Sequence, residues 1–374
     1  MTTLALVAGL HCTADADKWS LFAFVSAEGN LQAAGNDYAH SLMTVAAEAD
    51  LTVALQIDNG TDRPVRHLLF DGRVRSIGES QAPEPSSHHG EFADFFRWAR
   101  DSTNADRYAV VVFGHGVSAS GRGWDGARAG SWPMLGLTSR ADGAPLRPAA
   151  LATAMREGLG RSADVLVLDT CYGASLEAVW DLRRAADVIV ASPGRVPSTG
   201  MPWERALLEA PGTASAADTG RRWAGAGEGA VAVDTRGLVS VAESIAALST
   251  ALLEDIDEFA PALTAARSSS DAWGWQNEMC NLRELCDVLA QHCGDGVSEA
   301  ALDAVAALDD CIVSDGGALT VPFPAGLWAE GVVSQPEGFN EISRWGEMTA
   351  AYLDRQQQLM RRTLDDLRPD GEAT

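Results

Sequence analysis

Two short runs, "YAVVVFGHG" (108–116) and "ADVLVLDTC" (163–171), constrain this chain more than any other feature. In each, consecutive apolar residues show neither helical nor alternating spacing, and the run ends abruptly in small and polar residues. So short and so uniformly apolar a run suits a strand covered on both faces, as in the middle of a parallel sheet. "LALVAGL" (4–10), "LFAFVSA" (21–27), "LTVALQI" (51–57), "ADVIVAS" (186–192) and "AVAVDTR" (230–236) have the same texture. Between them, residues 91–100, 148–159 and 175–184 carry helical spacing. Strands alternating with helices of this length predict an α/β fold, a mostly parallel sheet flanked by crossover helices.

The texture changes near Gly237. Beyond it the spacing predicts helices over 239–266, 272–293, 298–311 and 339–367, with one late strand in "GALTVPFP" (317–324). This divides the chain into a sheet-bearing domain, 1–236, and a mainly helical C-terminal subdomain, 237–374. Three stretches read as loops: 78–90, the glycine-rich 116–132, and 192–202 with its three prolines.

Composition narrows the partners. The formal net charge is −24, from 52 acidic against 28 basic residues. Such a surface repels nucleic acid and anionic membranes and favours cationic ligands. No run reaches the 18 or so apolar residues of a membrane span. The opening "MTTLALVAGLHC" lacks a basic leader with a long apolar core, so the expected location is the cytoplasm. Six cysteines in 374 residues then read as free thiols.

The chemistry is expected at the two strand ends. In an open parallel sheet, ligands bind beyond the carboxyl ends of the strands. If the two runs are neighbours, His115 and Cys171 converge there. A thiolate is a strong nucleophile, and an imidazole titrating near neutrality can protonate a leaving amine and then activate water. The helix expected after Cys171 would lower the thiol pKa. Gly116, lacking a side chain, leaves its N–H open to a developing oxyanion, with the Cys171 N–H as second donor. Trp124, Trp132 and Trp203 fall in loops near this edge, where they can flank a substrate pocket.

Other candidates are weaker. Cys280, Cys286, His292 and Cys293 lack the short spacing of a zinc site and fall within an expected helix, so no metal is assigned. His88–His89 falls in a polar loop and reads as solvent-facing. His11 and Cys12 are adjacent on a strand end and so point to opposite sides.

Taken together, these motifs resemble the clostripain family of cysteine peptidases, within the caspase-like clan. "FADFFRWARDSTNADRYAVVVFGHG" (92–116) is similar to that family's histidine block, and "VLVLDTCYGASLEAVWDLRRAADVIVASPGRVPSTGMPW" (165–203) to its nucleophile block. "QNEMCNLRELCDVLA" (276–290), "GALTVPFP" and "FNEISRWGEMTAAYL" (339–353) resemble its C-terminal landmarks. The resemblance implies a caspase-like sheet, with His115 and Cys171 as the catalytic dyad.

It also implies that Asp169, two residues before the cysteine, binds a basic P1 side chain, Arg before Lys; the alternative is that it caps the following helix or stabilises a loop. Where relatives carry an acid after "VAS", this chain has Pro193, Gly194 and Arg195. That arginine can weaken a cation-selective pocket, favour an acidic P1, or point to solvent. No cofactor is needed for the chemistry. The family leaves Ca²⁺ as a potential activator, although the relatives' Asp-Asn-x-Leu-Glu segment reads "VSAEGNLQAAG" (25–35) here. Relatives mature by an internal cut between the two strands, for which Arg128, then Arg122 and Arg140, are the candidates.

The sequence reading is therefore a cysteine endopeptidase acting on a protein or peptide with a basic P1 residue. It is expected to be an intracellular zymogen released by an activating protease or partner, in a bacterial stress or defence pathway. The rivals are a catalytically silent caspase-like peptide-binding module, a protease preferring an acidic P1, and an amidase acting on small substrates.

Overall fold

The computed structural model describes residues 18–27, 29–49, 51–59, 63–79, 88–117, 134–138, 145–208, 215–274, 277–324 and 338–366. The expected strand at 4–10, the pair His11–Cys12, the tryptophans Trp124 and Trp132, and the arginines Arg122, Arg128 and Arg140 lie outside these residues.

In chain order the first half runs β1 (Trp19–Ser26), α1 (Gln32–Glu48), β2 (Thr52–Asp58), β3 (Val65–Phe70), β4 (Arg73–Glu79), α2 (His88–Ser102), β5 (Arg107–Phe113), β6 (His115–Val117), β7 (Met134–Thr138), β8 (Pro145–Leu146), α3 (Pro148–Leu159) and β9 (Ala163–Asp169). The second half runs α4 (Leu176–Leu182), β10 (Ala186–Ala191), α5 (Trp203–Leu208), α6 (Ala216–Ala226), β11 (Val231–Asp234), α7 (Leu238–Glu254), α8 (Ile256–Ser269), β12 (Ala272–Trp273), β13 (Met279–Asn281), α9 (Leu282–His292), α10 (Asp295–Cys311), β14 (Thr320–Pro322), α11 (Phe339–Ser343) and α12 (Trp345–Asp366).

Eight strands form the main sheet in the order β11-β10-β9-β5-β1-β2-β3-β4. The five from β10 to β2 are parallel, and β11 and the β3–β4 hairpin close the edges antiparallel. The chain thus builds outward from β1 to β4, returns to β5 on the other side of β1, and builds outward again. The reversal makes β1/β5 a topological switch point, where loops diverge and a crevice opens.

Alternate residues of each central strand enter two different cores, as the pleat requires. Leu21, Ala23 and Val25 with Val111 and Val167 pack beneath α1, α5 and α6. Phe22 and Phe24 with Val110, Val112 and Leu166 pack against α2, α3, α4 and the C-terminal helices. Each large side chain so buried contributes roughly 1.5–3 kcal/mol, which is why these runs tolerate no polar interruption. The run Thr235–Glu254, which ends in α7, is long and apolar enough by composition to cross a membrane, but the buried residues of α7, Leu238, Val241, Ala242, Ile245, Leu248 and Leu252, recur at helical spacing and join this second core.

Several expectations need correction. The segment read as one helix over 272–293 begins as a hairpin, β12 with β13, and only then turns helical. The helix read over 239–266 breaks at Asp255, whose carboxylate caps α8 by accepting from the Glu258 N–H at 3.0 Å. The last helix breaks at Arg344, which adopts left-handed backbone. His88 and His89 open α2 rather than lying in a loop, and His89 Nε2 meets the Glu157 carboxylate at 3.0 Å.

Candidate active site

The register of β5 on β9 sets the geometry. Phe113 lies opposite Asp169 on the last paired rung, so His115 and Cys171 each stand two residues beyond it. Both line one cleft of about 1130 Å³ at the carboxyl edge of the sheet, together with Asn30, Asp169, Arg195 and Val196. The structure thus brings together His115, Gly116, Asp169, Cys171 and Arg195.

The turn carrying Cys171 is held from three directions. Tyr172 takes left-handed backbone, unusual for a large side chain and a feature that clusters at functional sites. Its N–H donates to the Gly194 carbonyl at 2.8 Å, and the Ala174 N–H donates to the Ser192 carbonyl at 3.0 Å. From the C-terminal part of the chain, the Thr320 N–H donates to the Ala174 carbonyl at 3.0 Å, and the Trp273 ring packs on Gly194. Gly116 meets the turn on its other side. A Cβ there would strike the Cys171 carbonyl oxygen and lie 2.7 and 2.8 Å from its carbonyl carbon and amide nitrogen, so only glycine fits.

The Cys171 thiol is half-buried. The Val196 N–H donates to Sγ at 3.4 Å, and the Gly116 N–H also faces it. Burial raises the thiol pKa, while these two N–H groups and the Arg195 guanidinium oppose the rise. The helix expected to lower it lies too far on: α4 starts at Leu176, with Ser175 Oγ as its cap accepting from the Ala178 N–H. Three other free thiols differ in kind. Burial pushes Cys280, Cys286 and Cys311 up to about 12, and they behave as packing residues. Among the described residues, no group of three or more His, Cys, Asp or Glu side chains is placed to hold a metal.

Asp169 forms the floor. It is almost fully buried, and its Oδ2 accepts from the Met201 N–H at 2.7 Å. Burial pushes its pKa up to about 6, against the opposing pull of the Met201 N–H and the neighbouring Tyr38 hydroxyl. Gly200, at φ +65°, leaves no room for a side chain, since a Cβ would sit 2.6 Å from Asp169 Oδ2. The α4 cap is Ser175, so Asp169 does not serve that helix. Trp203, expected in a loop at the pocket, is instead the first residue of α5 and is buried. Its ring centroid lies 6.0 Å from that of Tyr38, which places it behind the floor, because the apolar core claims the indole.

Arg195 is exposed at the mouth, and its Nε donates to the Tyr172 hydroxyl at 3.3 Å. Two neighbours escaped the sequence reading: Tyr38, beside Asp169, and Asn30, whose Oδ1 lies 2.8 Å from His115 Nε2. The only linear signal for Asn30 was its place just past the β1 run, since the contact joins residues far apart in sequence.

Comparison with known proteins accords with this geometry. The sequence profile of the clostripain family matches residues 34–286. Among solved structures, a secreted C11 cysteine protease from Bacteroides thetaiotaomicron, iotapain, superposes with a TM-score of 0.65 at 14% identity, covering 89% of this chain and 99% of its own. A secreted C11 cysteine protease from the same organism, in complex with an irreversible peptide inhibitor, gives 0.61 at 15% identity with the same coverage. An inactive zymogen C11 protease from Parabacteroides distasonis gives 0.62 at 11% identity, over 83% of this chain and 92% of its own. No curated protein matches the sequence.

Proposed function

From the premise that the chain belongs to the clostripain family of cysteine peptidases, we propose that it is an endopeptidase using His115 and Cys171 as a dyad and cleaving after basic residues, arginine first. The observation that carries this is the placement of both side chains in one cleft, two residues beyond a shared rung of adjacent parallel strands.

In this reading Cys171 Sγ attacks the scissile carbonyl carbon as its proton passes to His115. The Gly116 and Cys171 N–H groups hold the oxyanion. The C–N bond then breaks, and His115 gives the proton to the departing amine. Water, deprotonated by His115, attacks the thioester; the acid leaves and the thiol regains its proton. The raised thiol pKa supports proton transfer coupled to attack, with the N–H groups around Sγ favouring the thiolate once it forms.

Asp169 supports the basic preference. It is a buried carboxylate that no cation pairs among the described residues, at the floor of the cleft in a chain of net charge −24. An incoming guanidinium would restore the ionisation that burial opposes. Arg195 at the mouth favours the rival, an acidic P1 residue.

In this reading the protein is made as a zymogen, with Arg128 as the first maturation site; a solved relative is described as an inactive zymogen. Residues 1–236 would form the catalytic domain and 237–374 a helical subdomain braced against the nucleophile turn, in a protein acting inside the cell in a stress or defence pathway. The test is purified protein against a positional peptide library, with and without Ca²⁺ and after limited nicking, beside Cys171→Ala. Cleavage after Arg that vanishes in the variant is expected. Cleavage after Asp or Glu would hand the pocket to Arg195, and silence under all conditions would favour a peptide-binding module.

A further inference from the structure

We infer that Asn30 is a positioning residue for His115, fixing its tautomer and ring orientation; this rests on the dyad reading above. The observation is the 2.8 Å approach of Asn30 Oδ1 to His115 Nε2. An amide oxygen only accepts, so the contact places the imidazole proton on Nε2 and leaves Nδ1 as the nitrogen that exchanges a proton with thiol, amine and water.

Topology explains why the residue comes from here. Asn30 lies just past the carboxyl end of β1, and β1 is the immediate neighbour of β5, which ends at the histidine. The two chains diverge at this switch point, so the first loop after β1 can face the ring from the side away from Cys171, which follows β9 on the other flank of β5. The turn is anchored at both ends. The Ala27 N–H donates to the Asp58 carbonyl at 2.7 Å, Leu31 is buried, and Gln32 Nε2 donates to the Asn59 carbonyl at 3.1 Å. Gly35 of α1 packs against Ala27, and no larger residue would let the helix approach so closely. An exposed asparagine next to the buried Leu31 and the anchored Gln32 is suited to hold a partner's orientation at little entropic cost.

An amide, unlike a carboxylate, orients the ring without strongly raising its pKa. Replacing it should therefore move a titration as well as a rate. The experiment measures peptide hydrolysis as a function of pH for wild type, Asn30→Ala and Asn30→Asp, with His115→Ala and Cys171→Ala as blanks. Asn30→Ala is expected to lose about tenfold in kcat with little change in KM, one net hydrogen bond's worth of rate. The midpoint of the limb set by His115 should fall in the order Asp, Asn, Ala from highest to lowest, and Asn30→Asp should recover most of kcat. Independently of turnover, ¹⁵N shifts of the His115 ring should report an Nε2–H tautomer in wild type and a mixture in Asn30→Ala.

Coincident pH profiles with unchanged ¹⁵N shifts would overturn the inference while leaving the dyad standing. Retained hydrolysis in His115→Ala or Cys171→Ala would instead overturn the dyad, and the role of Asn30 with it.

Discussion

The same two strands, β5 and β9, end in opposite ways. At their amino ends, Asp164 accepts from the Tyr108 N–H at 2.9 Å and pairs with Arg107 at 2.9 Å and Arg161 at 3.4 Å. Arg161 lies in turn over the Tyr108 ring, 4.2 Å from its centroid. At the carboxyl ends, Asp169 is as deeply buried but has no cation among the described residues, and burial pushes its pKa up to about 6. One carboxylate has its counter-charge within the fold. The other lines a cleft and is left with hydrogen-bond donors alone. A buried charge without its partner is costly, and chains retain such groups where a ligand supplies the partner.

Substitutions at the two ends should therefore behave oppositely. The largest effect belongs to Cys171→Ala, which should lower peptide turnover by at least about a thousandfold without unfolding the protein. Residual turnover near wild type would remove the carboxyl end from the chemistry.

Gly116→Ala should follow, costing about 1–3 kcal/mol in stability as well as most of the turnover, because the added methyl strikes the Cys171 backbone. Thermal unfolding beside a kinetic assay separates the two losses; a variant with ordinary turnover and melting would show that the close approach is not needed.

Asp169→Asn should separate the two carboxylates most clearly. Folding raises the Asp169 pKa from 3.8 to about 6. The folded state thus holds a proton that the unfolded state releases between those values, and stability falls as pH rises through that window. The penalty above it is on the order of 2–3 kcal/mol. Asp169→Asn removes this penalty, so it should melt a few degrees higher at neutral pH while losing about a hundredfold in kcat/KM for an Arg-P1 peptide. Asp164→Asn should do the reverse, losing roughly 1–3 kcal/mol of stability and keeping its P1 preference.

The smallest effect is expected of Arg195→Gln. Its guanidinium is exposed, so removing it should raise kcat/KM for Arg-P1 peptides only about two- to fivefold. A large fall for acidic P1 substrates would make Arg195 the selector instead.

The central strands were legible because both faces are buried, which leaves uninterrupted apolar runs such as Val110–Val112 and Val165–Leu168. The β3–β4 hairpin was not, since at the sheet edge Arg66, Arg73 and Arg75 break up its apolar residues and mask the period. Nor were α1, α5 and α6 singled out, for their short apolar faces alternate with small residues that suit loops equally well. The β12–β13 hairpin merged with α9 because Met279 and Cys280 continue the apolar spacing of Leu282, Leu285 and Cys286. For the site, His115 and Cys171 could be read from strand ends, because a parallel sheet converts similar sequence positions into spatial neighbours. Asn30 and Tyr38 could not, since their meeting with His115 and Asp169 is set by strand order, and nothing in linear spacing reports that β1 lies beside β5.

The most direct test is kcat/KM across pH 5–8 for matched peptides with Arg, norleucine or Asp at P1, with Cys171→Ala as blank. Arg should be cleaved best, with its advantage over norleucine growing as pH rises through about 6 and Asp169 ionises. Equal cleavage of Arg and norleucine at every pH, a preference for Asp, or undiminished turnover in Cys171→Ala would contradict it.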